Sequence, residues 1–234
     1  MSLPPIGFGT SPYRPDGTRI DVEPIVRLAR DAGYRLFDVA EMYGNERAVG
    51  RALRGSDAAV IGKAWRTNYR PEHLRRACEA SLRRLGIDAF DLYLLHAPGA
   101  LRHVAPLDDV EEIGWTEFQR RGAVSEADDV PIAETWQAMR ELQSFGLARE
   151  IGVSNFTQEQ LESLDPIPYA NEVPCWPLPS FRGVTIIGYS PLQSPKIDAP
   201  APLILRQLID RGIIPLTFST NPEHIRQNLA AVSA

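Results

Sequence analysis

The chain has 234 residues, 44% of them hydrophobic and 24% charged, with a formal net charge of −5 at neutral pH. That length suits one large domain with a sizeable core better than two, and the acidic balance speaks against a nucleic-acid surface. No apolar run approaches the roughly 18 residues of a membrane span, the start MSLPPIGFGTSP lacks the basic and apolar segments of a secretion signal, and the two cysteines, Cys78 and Cys175, make no metal-binding spacing. A reduced, cytoplasmic chain with no metal site, no membrane association and no nucleic-acid partner is expected.

Ile6 to Thr10 reads as a short strand ending in glycine, followed by a loop in which Asp16-Gly17 marks a turn. Val22 to Ala32 places Ile25, Val26, Leu28 and Ala29 on one helical face, and Gly33 stops it. Tyr34 to Ala40 is a strand and Asn45 to Leu53 an amphipathic helix. The polar junction between them carries Asp38, Glu41 and Tyr43, with Gly44 for the turn. Ala58 to Lys63 is an apolar strand with lysine at its end. Pro71 to Leu85 is a helix with proline in its first turn and Leu74, Ala77, Cys78, Ser81, Leu82 and Leu85 on one face. Phe90 to Leu95 is a buried strand, and His96 follows it.

From Pro98 to Pro131 the periodicity fails, and a loop this long is expected to lie over the barrel mouth, where His96 also emerges. The rhythm resumes with helix 133–145, strand 150–154, helix 157–164, a strand near 169–173 and strand 184–189. Pro177 to Gly183 leaves room for little more than a turn in place of a sixth helix. Helix 202–210, strand 213–218 and a last helix from about Pro222 to Ala231, capped by Asn221, complete the chain. Eight apolar strands, nearly all followed by a helix, imply a parallel sheet covered on its faces and closed into one (β/α)8 TIM barrel spanning residues 1–234. A doubly wound open sheet is the rival, but Gly7-Phe8-Gly9 is too short for its glycine fingerprint.

In such a barrel the C-terminal strand ends share one mouth. Asp38, Tyr43, Lys63 and His96 follow strands two, three and four and should meet there. Together they make a coherent acid. A phenol of pKa near 10 is a reluctant donor at neutral pH. A nearby ammonium lowers that value, and a buried aspartate keeps the ammonium charged. A histidine opposite can bond the same substrate oxygen. Trp65, beside Lys63, is expected either to wall the substrate pocket or to pack as an aromatic under the 98–131 loop.

The segments FDVAEMYGNERAVGRAL, IGKAW, LYLLHAP, IGVSNF, GYSPL and STNPEHIRQN resemble, in order and spacing, the aldo-keto reductase family over nearly the whole chain. The resemblance implies a TIM barrel that reduces aldehydes and ketones by hydride transfer from NADPH or NADH. It also implies a catalytic tetrad of Asp38, Tyr43, Lys63 and His96, with Tyr43 as general acid. Ser154 and Asn155 match the residues that hold the nicotinamide carboxamide, and Tyr189 the aromatic stacked on its ring. Ser219, Asn221 and Asn228 fall at the adenosine end of the cofactor.

The departures concern cofactor and substrate. Where the family often has a carboxamide-binding glutamine, this chain has Glu172. Where a lysine and an arginine usually clamp the 2′-phosphate, it has Phe218 and His224. The resemblance also leads to the expectation that the family's C-terminal substrate loop is missing after the last helix. A relaxed preference for NADPH is therefore expected, with a small-molecule carbonyl as substrate. The rival activity is a non-redox lyase or isomerase that keeps the same acid.

Overall fold

The computed structural model describes residues 2–12, 19–103, 126–193 and 199–232. Eight strands run parallel and close in chain order: β1 (Gly7–Gly9), β2 (Leu36–Asp38), β3 (Ala59–Ala64), β4 (Phe90–Leu95), β5 (Ala148–Ser154), β6 (Ala170–Pro174), β7 (Thr185–Tyr189) and β8 (Ile213–Thr217), with β8 returning to pair with β1. The helices are α1 (Glu23–Ala32), α2 (Glu46–Leu53), α3 (Pro71–Leu85), α4 (Ile132–Ser144), α5 (Gln158–Glu162), α6 (Ala201–Asp210) and α7 (Pro222–Ala230). The TIM barrel expected from the sequence is the barrel observed, and no helix separates β6 from β7. Among the described residues, no helix is long and apolar enough to cross a membrane.

Side-chain alternation along the strands sorts the core into two parts. Phe37, Val60, Tyr93, Leu95 and Val153 point outward against Val26, Val49, Leu74, Leu82 and Met139 of the helices. Leu36, Ile61, Leu92, Leu94, Ala170, Ile187, Ile214 and Leu216 fill the barrel interior. The next inward residue on each strand lies two positions on, one layer nearer the mouth. Leu36 leads to Asp38, Ile61 to Lys63, Leu94 to His96, Ala170 to Glu172 and Ile187 to Tyr189. The apolar layer is thus a water-excluding floor, and the layer above it is the site.

Several boundaries shift. β1 and β2 are each three residues long, shorter than expected, because the barrel pairs only their centres before the chain turns off at the mouth. Asn45 stands outside α2, and its side-chain amide donates to the Thr10 carbonyl at 2.7 Å, tying the start of α2 to the end of β1. Helix α5 is shortened at both ends. Thr157 forms its capping box with Gln160 rather than its first turn.

Gly50 of α2 has a backbone role, since a Cβ there would stand 2.2 Å from the Leu85 carbonyl oxygen at the end of α3. The same helix pair is joined by a buried ion pair, Arg84 Nε to Glu46 Oε2 at 2.7 Å. The two ends of the long 98–131 segment meet. Leu101 bridges antiparallel to Ala127, and Arg70, just before α3, pairs with Asp128 through its Nε at 2.8 Å. Its centre, residues 104–125 with Trp115 and Phe118, lies outside the described residues, and with it the expected cover over the mouth.

Candidate active site

After β2 the backbone leaves the barrel through a tight turn, Glu41–Tyr43, that closes on Gly44 in the left-handed conformation (φ 58°). Arg19 donates to the Gly44 carbonyl. Glu41 reaches across to the segment after β3, where its carboxylate accepts from the Trp65 N–H at 3.1 Å and from the Asn68 amide at 2.7 Å. The turn that carries Tyr43 is therefore fastened on both sides. Burial pushes the Glu41 carboxyl up to about 7 against the pull of Arg84. Sequence reasoning placed Glu41 in the polar junction and gave it no task; the available signal was an acid inside a turn that packs against the barrel.

Lys63 is fully buried one layer above Ile61. Its ammonium pairs with Asp38 and also with Glu172, 3.2 Å from Oε1 and 3.3 Å from Oε2. Burial works against the charge, but Asp38 and Glu172 outweigh it and hold the ammonium above its usual range. The same nitrogen lies 5.5 Å from the centre of the Tyr43 ring. The Tyr43 phenol departs from expectation. Burial raises it above its usual range, Lys63 pulls it down, and Asp38 and Glu172 push it up again. The expected lowering by lysine is present but is not the dominant influence. The consequence is a phenol that keeps its proton at rest and releases it only when a substrate oxygen becomes basic.

His96 ends β4 edge-on to Tyr43, with ring centres 6.1 Å apart. Burial, and then the charge of Lys63, lower its imidazole to about 3, so it is neutral. Its Nδ1 is buried with no hydrogen-bond partner among the described residues. Trp65 stands edge-on to His96 at 5.2 Å. Its indole therefore packs against the imidazole at the end of β4.

Ser154, Asn155 and Tyr189 form one network at the ends of β5 and β7. The Ser154 hydroxyl donates to the Glu172 carbonyl at 2.9 Å, and the Asn155 amide donates to Ser154 Oγ at 2.9 Å and to the His96 carbonyl at 3.1 Å. The Tyr189 hydroxyl donates to Asn155 Oδ1 at 2.9 Å. Asn155 adopts φ 63°, a left-handed position that asparagine tolerates better than most residues. The Glu172 carboxyl, expected to face a carboxamide, is engaged with Lys63 and lies close enough to Asp38 to share a proton. Burial raises the Asp38 carboxyl against the pull of Lys63, and burial, then the charge of Asp38, push the Glu172 carboxyl up to about 8.

Asp38, Tyr43, His96, Ser154, Asn155, Glu172 and Tyr189 line a cavity of about 480 Å³ at the mouth, together with Gly9, Thr217 and Phe218, and Lys63 lies behind its carboxylate wall. Leu192 and Phe218 also border a second cavity of about 350 Å³, lined further by Ser219, His224, Gln227 and the buried Asn228 beside α7. Asn221 caps α7 by accepting from the Glu223 N–H at 2.9 Å, and Ser219 Oγ accepts from the Asn221 N–H at 3.1 Å. Both are thus occupied with the local backbone. Asp38, Tyr43, Lys63 and His96 are brought together as expected, with Glu172 as a fifth member.

Fold and site together define a class: a parallel (β/α)8 barrel whose mouth holds a loaded phenol beside a buried, carboxylate-bound ammonium. Residues 5–199 match the model of the "Aldo/keto reductase family", and the chain belongs to that family. It is 32% identical to human "Aldo-keto reductase family 1 member C3" over 97% of this chain and 82% of the relative. It is also 32% identical to rabbit "Prostaglandin-E(2) 9-reductase", with the same coverage. Among solved structures, the aldose reductase of Schistosoma japonicum superimposes with a TM-score of 0.82 at 29% identity, over 100% of this chain and 85% of that one. Family membership and these reductase-named relatives support carbonyl oxidoreduction.

Proposed function

We propose that this protein interconverts a small-molecule aldehyde or ketone and its alcohol with a nicotinamide cofactor, and that Tyr43 is the acid and base at the oxygen. The observation that carries the reading is the Lys63 ammonium, buried at the floor of the cavity between Asp38 and Glu172 and directed at Tyr43. In the reducing direction Tyr43 gives its proton to the carbonyl oxygen as negative charge develops there. Lys63 stabilises the phenolate left behind, and Asp38 keeps Lys63 charged and in place. Neutral His96, beside Tyr43, can donate to the same oxygen.

The residues present fit a dinucleotide. Two cavities joined at Leu192 and Phe218 make an extended trough, with an aromatic ring and two amide-binding side chains, Tyr189, Ser154 and Asn155, at one end and Asn228 at the other. When bound, nicotinamide supplies or accepts the two electrons and hydrogen exchanged at the carbonyl carbon. Phe218 offers no donor to a 2′-phosphate, and His224 is the only ionisable side chain among the described residues lining the second cavity. Two missing charge-assisted hydrogen bonds weaken NADPH by roughly 3–6 kcal/mol, or about 10²–10⁴-fold. NADH should therefore bind as well as NADPH or better. Titration of the protein with both reduced cofactors, followed by nicotinamide fluorescence, tests this. Tight and selective NADPH binding would refute the phosphate-site argument, and binding of neither would leave the acid to lyase or isomerase chemistry.

A further inference from the structure

We propose that Glu172 sets the charge of the cofactor site: protonated, it leaves the floor neutral, and ionised, it makes the site prefer the oxidised, cationic nicotinamide over the reduced, neutral one. The inference rests on the nicotinamide reading above and concerns which redox form the site selects.

The charges follow from the geometry. Among the described residues, the groups facing the Glu172 carboxyl are Lys63 from β3, Asp38 from β2, Tyr43 from the turn after β2 and Tyr189 from β7. His96, from β4, faces Lys63 and is neutral. One ionised carboxylate cancels Lys63, and both tyrosines are held above their usual range, so they are neutral. Burial raises both carboxyls of the Asp38–Glu172 pair, and the charge that changes the sum is the second carboxylate, which Glu172 adds at the cavity wall and which burial and Asp38 push up to about 8. It lines the same cavity as Tyr189, Ser154 and Asn155 while only 3% exposed, so its charge is little screened by solvent.

In a buried site of effective dielectric near 20, a neighbouring unit charge shifts the relative affinity of a cationic and a neutral form by about 10–100-fold. Linkage makes the effect reciprocal. If ionised Glu172 favours the cation, then binding the cation expels the proton from Glu172, and the neutral reduced form leaves it in place.

The proton is the readout, independent of turnover. Calorimetric titrations of the protein with NAD⁺ and with NADH at about pH 7, each in two buffers of different ionisation enthalpy, count the protons released. The expected result is release of about 0.4–0.8 proton with NAD⁺ and far less with NADH. Repetition with NADP⁺ and NADPH should reproduce the difference, because the 2′-phosphate is common to both forms. In Glu172→Gln the two counts should coincide, and the preference for NAD⁺ should no longer strengthen with pH. Because the comparison of oxidised with reduced cofactor is made within the wild-type protein, it stands even if the variant folds poorly. Equal proton counts for bound NAD⁺ and NADH in the wild type would overturn the role of Glu172 and leave the nicotinamide reading standing. Failure of all four nucleotides to bind would overturn that reading itself, and this inference with it.

Discussion

Replacing Glu172 with glutamine should change not only how stable the protein is but how stability depends on pH. The usual value of the carboxyl is 4.5, and in the folded protein burial, then the charge of Asp38, push it up to about 8. Between those values the folded state holds a proton that the unfolded state has lost, so stability falls as pH rises. Each pH unit is worth about 1.4 kcal/mol, and the full window amounts to roughly 5 kcal/mol, an upper figure because buried sites relax and admit water. Below the window both states are protonated and the penalty vanishes. Above it the penalty is complete and constant. Glutamine cannot ionise and escapes it. Glu41, also raised by burial, is present in both proteins and largely cancels from the comparison. Urea unfolding of both proteins at about pH 5.5, 7 and 8.5 reads the effect. The variant should gain on the wild type by roughly 3 kcal/mol from the lowest to the highest pH. Parallel curves, with a difference constant to about 0.5 kcal/mol, would mean that Glu172 is ionised throughout and that Lys63 carries two carboxylate charges at rest.

Two further substitutions probe the site and the scaffold beneath it. Tyr43→Phe removes the hydroxyl alone and should cut carbonyl reduction by roughly 10²–10⁴-fold while leaving cofactor binding nearly unchanged. Steady-state turnover near the wild-type level in a folded variant would remove Tyr43 from the role proposed for it. Gly50→Ala sets two effects against each other. Helix propensity favours alanine by about 1 kcal/mol, whereas a Cβ placed 2.2 Å from the Leu85 carbonyl oxygen must displace backbone, at a cost of about 1–3 kcal/mol or more. Because that oxygen belongs to the main chain and cannot rotate aside, a net loss is expected; equal or greater stability in urea unfolding would show that α2 can move away from α3.

What the sequence revealed, and what it hid, follows from the range of the interactions involved. Apolar strands about a helix apart announce a parallel barrel because each strand is buried on both faces, a constraint written locally in every unit. Asp38, Lys63 and His96 were legible for the same reason. Each stands two residues beyond an inward apolar side chain, so the strand's period of two sends it to the mouth. Tyr43 was legible through the turn that Gly44 permits. The balance of charge among these groups was not, because it depends on how closely side chains from different strands approach one another. The sequence said that a lysine should acidify the phenol. It could not say that burial outweighs the lysine, or that a second carboxylate from β6 reaches the same ammonium.

Glu172 makes the point sharply. Read along the chain it is one replacement in a cofactor contact, a donor exchanged for an acid. In the barrel it is a titratable charge closed in with Lys63 and Asp38, and its influence reaches the phenol of Tyr43. A glutamine there could interact with Lys63 without changing the sum of charges at any pH. A glutamate cannot do both, since accepting from Lys63 as a carboxylate leaves the floor negative and keeping its proton weakens its hold on the ammonium. If Glu172 acts as proposed, the acid at the end of β6 makes the preference between oxidised and reduced cofactor move with pH, toward the oxidised form as the proton leaves.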